Sequence, residues 1–392
     1  SWITTLNFRG TFGIQGNALT RESPELILNQ QGVQPGYNRY YSTISQIPNP
    51  YLSWERTKNW NFGVDLELFR MFYMNLEYYT RRSNAVIGVD LPFEYGIDQM
   101  KRNGGIIYNR GIEYTLSFTP IQKRDFALNV NLNASKNWNK GGETKIDRNT
   151  TMYLNGNGTQ ILKEGYPLSA FWSYSFAGLD GSNGKPTFNY VEVPEEEKSK
   201  DIDPTTYLVY SGEKEPFFTG GLGLSFRYKS LSLNTSFSLL LGSHKRLPSP
   251  YNDFRGDHNM MPDPTKNINR DLLNRWQKPG DEAHTNIPGL PTWPLGIAWT
   301  LPNTDNGESA IPMWEKSDAM VVNASFLRCR NIGLSWQMKK EWCDKIHAKN
   351  LSVNFNMDNI FVIASKRFNG FDPELENSIM PRSFSLGLNI GF

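Results

Sequence analysis

The chain closes on "RSFSLGLNIGF" (382–392), in which Phe384, Leu386, Leu388, Ile390 and Phe392 alternate with Ser383, Ser385, Gly387, Asn389 and Gly391. In an extended strand a two-residue period sends one set to each face. Here one face is oily and the other is small and polar. The fold turns on whether the pattern recurs, and it does. Trp2, Leu6, Phe8, Phe12 and Ile14 share one parity, with Thr5, Asn7, Arg9, Thr11 and Gln15 on the other. Phe62, Val64, Leu66 and Leu68 alternate with Asn61, Gly63, Asp65 and Glu67, and Phe126, Leu128, Val130 and Leu132 with Asn129, Asn131 and Asn133. Further runs centre on Tyr114, Leu233 and Phe355.

Each run is about ten residues, the length at which a tilted strand crosses a bilayer. About twelve strands are expected, at 2–15, 58–69, 71–82, 107–119, 125–137, 153–163, 168–178, 217–229, 230–242, 321–338, 349–361 and 381–392. Their connections alternate. Short ones fall near 69–71, 120–124, 164–167, 229–230 and 339–348; long ones span 16–57, 83–106, 138–152, 179–216, 243–320 and 362–380. Short turns at one end and long loops at the other are the habit of outer-membrane barrels. A soluble sandwich has no reason to segregate its loops. With the C-terminus in the periplasm, every long loop lies outside the cell. Trp138, Tyr228 and Phe392 fall at the ends of oily lanes, where interfacial aromatics sit.

Composition agrees. Only 38% of the 392 residues are hydrophobic, yet 13% are aromatic and 33 are glycine, which suits a barrel with a wet interior and an oily exterior. No apolar run approaches the ~18 residues of a membrane helix. The net charge of +2 gives no field suited to nucleic acid. Cys329 and Cys343 are expected as free thiols, because roughly 30 Å of extended chain would separate Cys329 from the next turn. The opening on Ser1 reads either as an abrupt mature terminus or as the start of the C-terminal piece of a longer chain.

Seven stretches, in order, resemble the SusC/RagA-type TonB-dependent transporters of Bacteroidetes: "NPYLSWERTKNWNFGVDLEL" (49–68), "NGGIIYNRGIEYTLSF" (103–118), "GYPLSAFWSYSFAGLDGSNGKPTF" (165–188), "RWQKPGDEAHTNIPGL" (275–290), "SDAMVVNASFLRCRNIGLSW" (317–336), "DNIFVIASKRFNGFDPE" (358–374) and the terminal "PRSFSLGLNIGF". The resemblance covers nearly the whole chain. It implies an all-β transmembrane antiparallel barrel, with residues 1–392 as about the last twelve of 22 strands around an N-terminal plug. The plug and its TonB-contacting segment are not among these residues. It further implies outer-membrane localisation and import of nutrient oligomers. The cargo would be glycan oligosaccharides, or peptides as in some relatives, handled with a SusD-like surface lipoprotein and the TonB complex. The rival readings are a complete 12-stranded barrel enzyme and a soluble carbohydrate-binding β protein.

No nucleophile–histidine pair, H-x-x-x-H spacing or phosphate-cradling glycine loop occurs, so no enzyme activity and no cofactor are expected. An oxygen-rich loop around Asp253, Asp257 and Asp263, or Asp253 and Asp257 with His258, is a candidate calcium or cation site. Sugar rings stack on flat aromatic faces while polar groups bind their hydroxyls. That makes Tyr251, Asp253, Phe254, Arg255, Trp276, Trp293, Phe368 and Asp372 the candidate substrate contacts, with Trp314 of the same type. "RWQKPGD" and "GFDPE" are expected to shape the loops rather than touch cargo. The polar lane (Asn129, Asn131, Asn133, Ser232, Asn234, Ser236, Asn354, Asn356) is expected to line the lumen as a nearly uncharged wall.

Overall fold

The computed structural model describes residues 2–19, 25–34, 36–91, 93–97, 99–142, 150–156, 163–190, 202–251, 265, 267–290, 297–300, 307–375 and 378–392. Ten strands form one sheet: β1 (Ile3–Asn17), β2 (Glu55–Leu68), β3 (Phe72–Asp90), β4 (Gln99–Gln122), β5 (Phe126–Gly141), β6 (Phe218–Tyr228), β7 (Leu231–Leu241), β8 (Phe326–Gln337), β9 (Asn350–Ala364) and β10 (Ser383–Gly391). Every strand pairs antiparallel with its neighbours in the chain, so the sheet is a simple meander edged by β1 and β10.

The register converts the sequence alternation into continuous belts. One row runs Leu68, Phe72, Phe118, Val130, Leu224, Thr235, Ile332, Met357, Phe384 across nine strands. The next row on the other face runs Tyr73, Ser117, Asn131, Gly223, Ser236, Asn331, Asp358, Ser383. The first face is left bare: Phe8 is 71% exposed, Phe62 51% and Leu386 76%. A bare apolar belt of this extent is unstable in water and stable against lipid tails. Thr235 Oγ1, the hydroxyl in the row above, donates to the Asn331 carbonyl at 3.0 Å, where a bulge between Cys329 and Asn331 breaks the regular ladder. The polar row bonds to itself, Ser117 to Asn131 at 2.8 Å, Asn331 to Asp358 at 2.9 Å and Ser383 to Asp358 at 2.7 Å.

Ten strands rather than twelve make the wall. The expected strand 153–163 is in part a short helix, Thr150–Asn155, and 157–162 lie outside the described residues. The expected strand 168–178 is two short strands, Ala170–Ser173 and Phe176–Leu179, in separate two-stranded sheets. All four residues of Ala170–Ser173 are buried, so both parities are covered and no lipid-facing lane exists there. Residues 142–217 are therefore one long connection. The interval 83–106 is shorter than expected, because β3 and β4 continue to Asp90 and from Gln99. In that extension Ala85 and Ile107 are buried against Leu168, so the inward lane turns apolar where a loop packs into it. The connections still fall at alternate ends of the sheet: 69–71, 123–125, 229–230 and 338–349 at one end, and 18–54, 91–98, 142–217, 242–325 and 365–382 at the other, where all but 91–98 are longer than any at the first. Cys329 and Cys343 are both free and buried.

The two lanes should respond oppositely to charge. In the full-length protein refolded into vesicles, Leu132→Arg on the bare lane should cost about 2–4 kcal/mol, as for arginine near a bilayer midplane. Asn131→Arg, its neighbour on the polar lane, should cost less than half of that. Equal losses in a urea titration would contradict the assignment of faces.

Candidate functional site

At the long-loop end, connections 142–217 and 242–325 fold together over an aromatic core of their own. Trp172, 1% exposed, is ringed by Tyr153, Tyr166 and Tyr210 with centroids 5.1, 5.3 and 5.8 Å away. Trp314 meets Tyr251 edge-on at 6.0 Å and donates from Nε1 to the Asn286 carbonyl at 2.8 Å. Met313, Leu272, Tyr207 and Leu208 complete the cluster. Burial raises the Tyr251 phenol and pushes that of Tyr210 up to about 12, so both stay neutral donors at physiological pH.

The third connection, 365–382, is tied to the wall by charge. Arg328 of β8 grips both oxygens of Asp372 at 2.6 and 2.7 Å, and its Nε lies 2.8 Å from Glu374 Oε2. The Arg328 and Asp372 side chains are 2% and 4% exposed, and Asp372 Oδ1 also accepts from the Glu374 amide at 2.9 Å. Nη2 reaches both Asp372 oxygens while Nε faces Glu374, so one guanidinium holds two residues of the loop in one register. Arg367 adds bonds to the Val321 carbonyl, at 2.7 Å, and to the Ala319 carbonyl, fastening 365–382 to 242–325.

Two cavities lie between these loops. One of about 320 Å³ is lined by Trp314, Ile287, Lys366, Phe368 and Asn369, among others. A second, of about 430 Å³, shares Leu247, Pro248 and Phe368 with it. Below them a recess of about 870 Å³ runs along the polar lane of β4 to β8, past Glu113, Asn131, Asn133, Ser236 and Arg330. The wall is less neutral than its asparagines suggest. Arg9 bonds Asp65 at 3.1 Å and Glu77 at 2.9 Å, while Asn75 donates to Asp65 at 2.7 Å. Glu113 lies directly opposite Glu77 in the ladder.

The sequence-predicted residues do not converge. Tyr251 is buried in the roof core, with its hydroxyl bonded to the Pro288 carbonyl. Asp372 is committed to Arg328, which is the loop-shaping role expected of "GFDPE". Trp276 donates to Glu282 Oε2 at 3.0 Å and lies over Gly184, where a Cβ would meet its ring at 2.4 Å, so "RWQKPGD" also shapes a loop. Phe368 and Trp314 do line a cavity. Asp253, Phe254, Arg255 and Trp293 lie outside the described residues, as do Asp257, His258 and Asp263 of the cation-site reading; among the described residues no metal-ligating cluster occurs. Trp138 stands at the loop end of the bare lane under Lys136 and Arg110, 4.9 and 5.7 Å away, and Tyr228 at the turn end under Lys229 at 5.4 Å. Phe392 is 75% exposed. Sequence reading missed Arg328, whose partner is 44 residues away, and the basic triplet His244–Arg246.

Two tests follow from the roof. Asp372→Asn, which leaves the buried guanidinium with Glu374 as its one carboxylate, should cost about 1.5–3 kcal/mol and expose 365–382 to protease; Arg328→Met with Asp372→Leu should recover most of the loss. No recovery in the double variant would mean that the pair does more than tie the loop. Glu315 is the second case. Burial raises its carboxyl above the ordinary value, against a bond from Ser249. The folded roof thus binds the proton more tightly than the unfolded chain, so stability is fullest below the ordinary glutamate pKa. It is lost as pH rises through the raised folded value. Glu315→Gln should therefore stabilise the roof at pH 7 and have little effect at pH 4, by protease susceptibility at each pH.

No protein-family model matches the chain. TonB-dependent receptor SusC of Bacteroides thetaiotaomicron is 26% identical over 418 residues, covering 100% of this chain and 38% of that protein. TonB-dependent receptor P3 of Formosa agariphila is 23% identical over 427 residues, covering 100% of this chain and 40% of its own length. Among solved structures, the RagAB peptide transporter superposes with a TM-score of 0.70 at 22% identity, covering 100% of this chain and 41% of that one. The chain thus spans about two fifths of the curated relatives it matches. Meander, bare apolar belt, alternating loops and whole-length similarity converge: the chain is similar over its full length to TonB-dependent receptors of the SusC type, and its fold is that of a stretch of a RagA-like outer-membrane barrel.

Proposed function

We propose that the chain forms the C-terminal, loop-bearing part of an importer that draws nutrient oligomers, glycan oligosaccharides first, through the outer membrane with energy from TonB. The observation that carries this is the inward lane: hydroxyl and amide groups repeat across β4 to β8 beside an 870 Å³ recess. Such a wall offers many weak, exchangeable hydrogen bonds to a hydrated solute and no deep trap. A SusD-like lipoprotein would close over the roof, consistent with the size of the connections 142–217 and 242–325.

The sheet edges support a larger whole. β1 and β10 each present unpaired backbone groups, which hydrocarbon does not tolerate. Further strands of a longer polypeptide would pair with both and close the barrel, with a plug inside it carrying the TonB contact. Trp138 and Tyr228, each beside a lysine, and Phe392 would then mark the two headgroup levels. The second reading, peptide cargo, is favoured by the charged patch of Arg9, Asp65, Glu77 and Glu113, which could meet peptide termini.

Deleting the full gene and supplying panels of oligosaccharides and of mixed peptides as sole carbon source separates the two. The glycan reading expects growth to be lost on at least one oligosaccharide and restored by the intact gene, but not by a version lacking the TonB-contacting segment. Growth lost on peptides alone would overturn it.

A further inference from the structure

The connection leaving β7 places His244, Lys245 and Arg246 in a row on the second cavity, joined across it by Lys214. Four groups able to carry positive charge face one space of about 430 Å³. The partners of Arg246 are neutral. Arg246 donates to the Leu154 carbonyl at 2.8 Å, the Trp172 carbonyl at 3.1 Å and Ser173 Oγ at 2.9 Å, with the Phe171 ring 5.4 Å away. Its Nε is buried without a hydrogen-bond partner, as is His244 Nδ1. Lys245 reaches the Glu374 carbonyl at 3.3 Å, whereas the Glu374 carboxylate is held by Arg328 at 2.8 Å and Arg330 at 3.4 Å. Among the described residues no carboxylate forms an ion pair with Lys245 or Arg246.

Burying a cation costs several kcal/mol unless an anion or dense hydrogen bonding offsets it. Burial, partly offset by the Tyr174 phenol, draws the Arg246 guanidinium down to about 10, still charged at neutral pH. Lys245 and Arg246 thus carry charge on the cavity with only carbonyl, hydroxyl and ring partners among the described residues.

We propose that this cavity binds an anionic substituent, a carboxylate or a sulfate ester, on the imported oligosaccharide. Lys245 and Arg246 contact the anion, Lys214 stands at the exposed rim, and Phe368 gives the sugar ring an apolar wall. The proposal deepens the glycan-import reading and rests on it. It makes the transporter selective for acidic glycans over neutral ones of equal length.

The test uses the full-length transporter with its partner lipoprotein in detergent, titrated calorimetrically. The probes are trigalacturonic acid, a sulfated galactose disaccharide, a neutral trisaccharide and the tripeptide Glu-Ala-Glu. At least one acidic sugar should bind about tenfold or more tightly than the neutral one, and Lys245→Gln should lower that affinity about tenfold while sparing the neutral sugar. Whichever acidic sugar binds names the anion. Arg246 holds three groups of the roof, so Lys245→Gln, at a half-buried position with a single long bond to the Glu374 carbonyl, carries the test, with Lys245→Arg and Arg246→Lys as charge-keeping controls. Equal affinities for acidic and neutral sugars, unchanged by Lys245→Gln, would reduce the cluster to a structural staple and overturn the proposal while leaving glycan import standing. Binding of the tripeptide alone, weakened by Lys245→Gln, would overturn both the acidic-sugar assignment and the glycan reading.

Discussion

Hydrocarbon offers a backbone N–H or C=O nothing to bond, and the structure is organised around that restriction. Pairing each strand with its chain neighbours satisfies the ladder with the shortest connections. Once the ladder is fixed, side-chain parity is fixed with it, and a slip of one residue would turn every asparagine toward lipid. Exceptions are handled locally. Thr235, a hydroxyl in the apolar belt, gives its proton to the Asn331 carbonyl at the bulge. On the other face Gly221 leaves room for Asn133, whose Oδ1 would lie 2.3 Å from a Cβ there.

Above the membrane the rules change. The roof loops meet water and must build a core, so aromatic residues on both parities of Ala170–Ser173 turn inward together. That core is distinct from the wall and is joined to it at specific points, some apolar, as where Leu168 packs on Ala85 and Ile107, and some polar. The Arg328–Asp372 pair holds 365–382 against β8, and within the roof Arg246 bridges Leu154 and Trp172. A loop assembly fixed at a few charged points can keep its shape over a hydrogen-bonding wall.

Much of this was legible in the residues. Nine wall strands and the closing strand show the period of two because one face meets lipid along its whole length, and no tertiary contact disturbs the pattern. The "FWSYSFAG" run looked like another such strand, since an alternating reading accepts its aromatics without asking whether the intervening residues are also buried. The strand extensions past Asn84 were hidden for a related reason: Ala85 and Ile107 put apolar residues in the lane that is polar lower down. The loop aromatics were misleading as binding candidates, because a large loop assembly consumes tryptophan and tyrosine for its own core before any are left for cargo. Tyr251 and Trp276 are used that way. The basic triplet at 244–246 was visible as charge, but its lack of acidic partners emerges only from the packing.

The central claim is that a single alternation divides lipid from lumen. Spin labels placed one at a time at 383 to 390 of the full-length protein, in native outer-membrane vesicles with Cys329 and Cys343 replaced, test it most directly. The account predicts collisions with dissolved oxygen peaking at Phe384, Leu386, Leu388 and Ile390, and collisions with a water-soluble nickel chelate peaking at Ser383, Ser385, Gly387 and Asn389. Profiles without a two-residue period, or with the two reagents in phase, would contradict it.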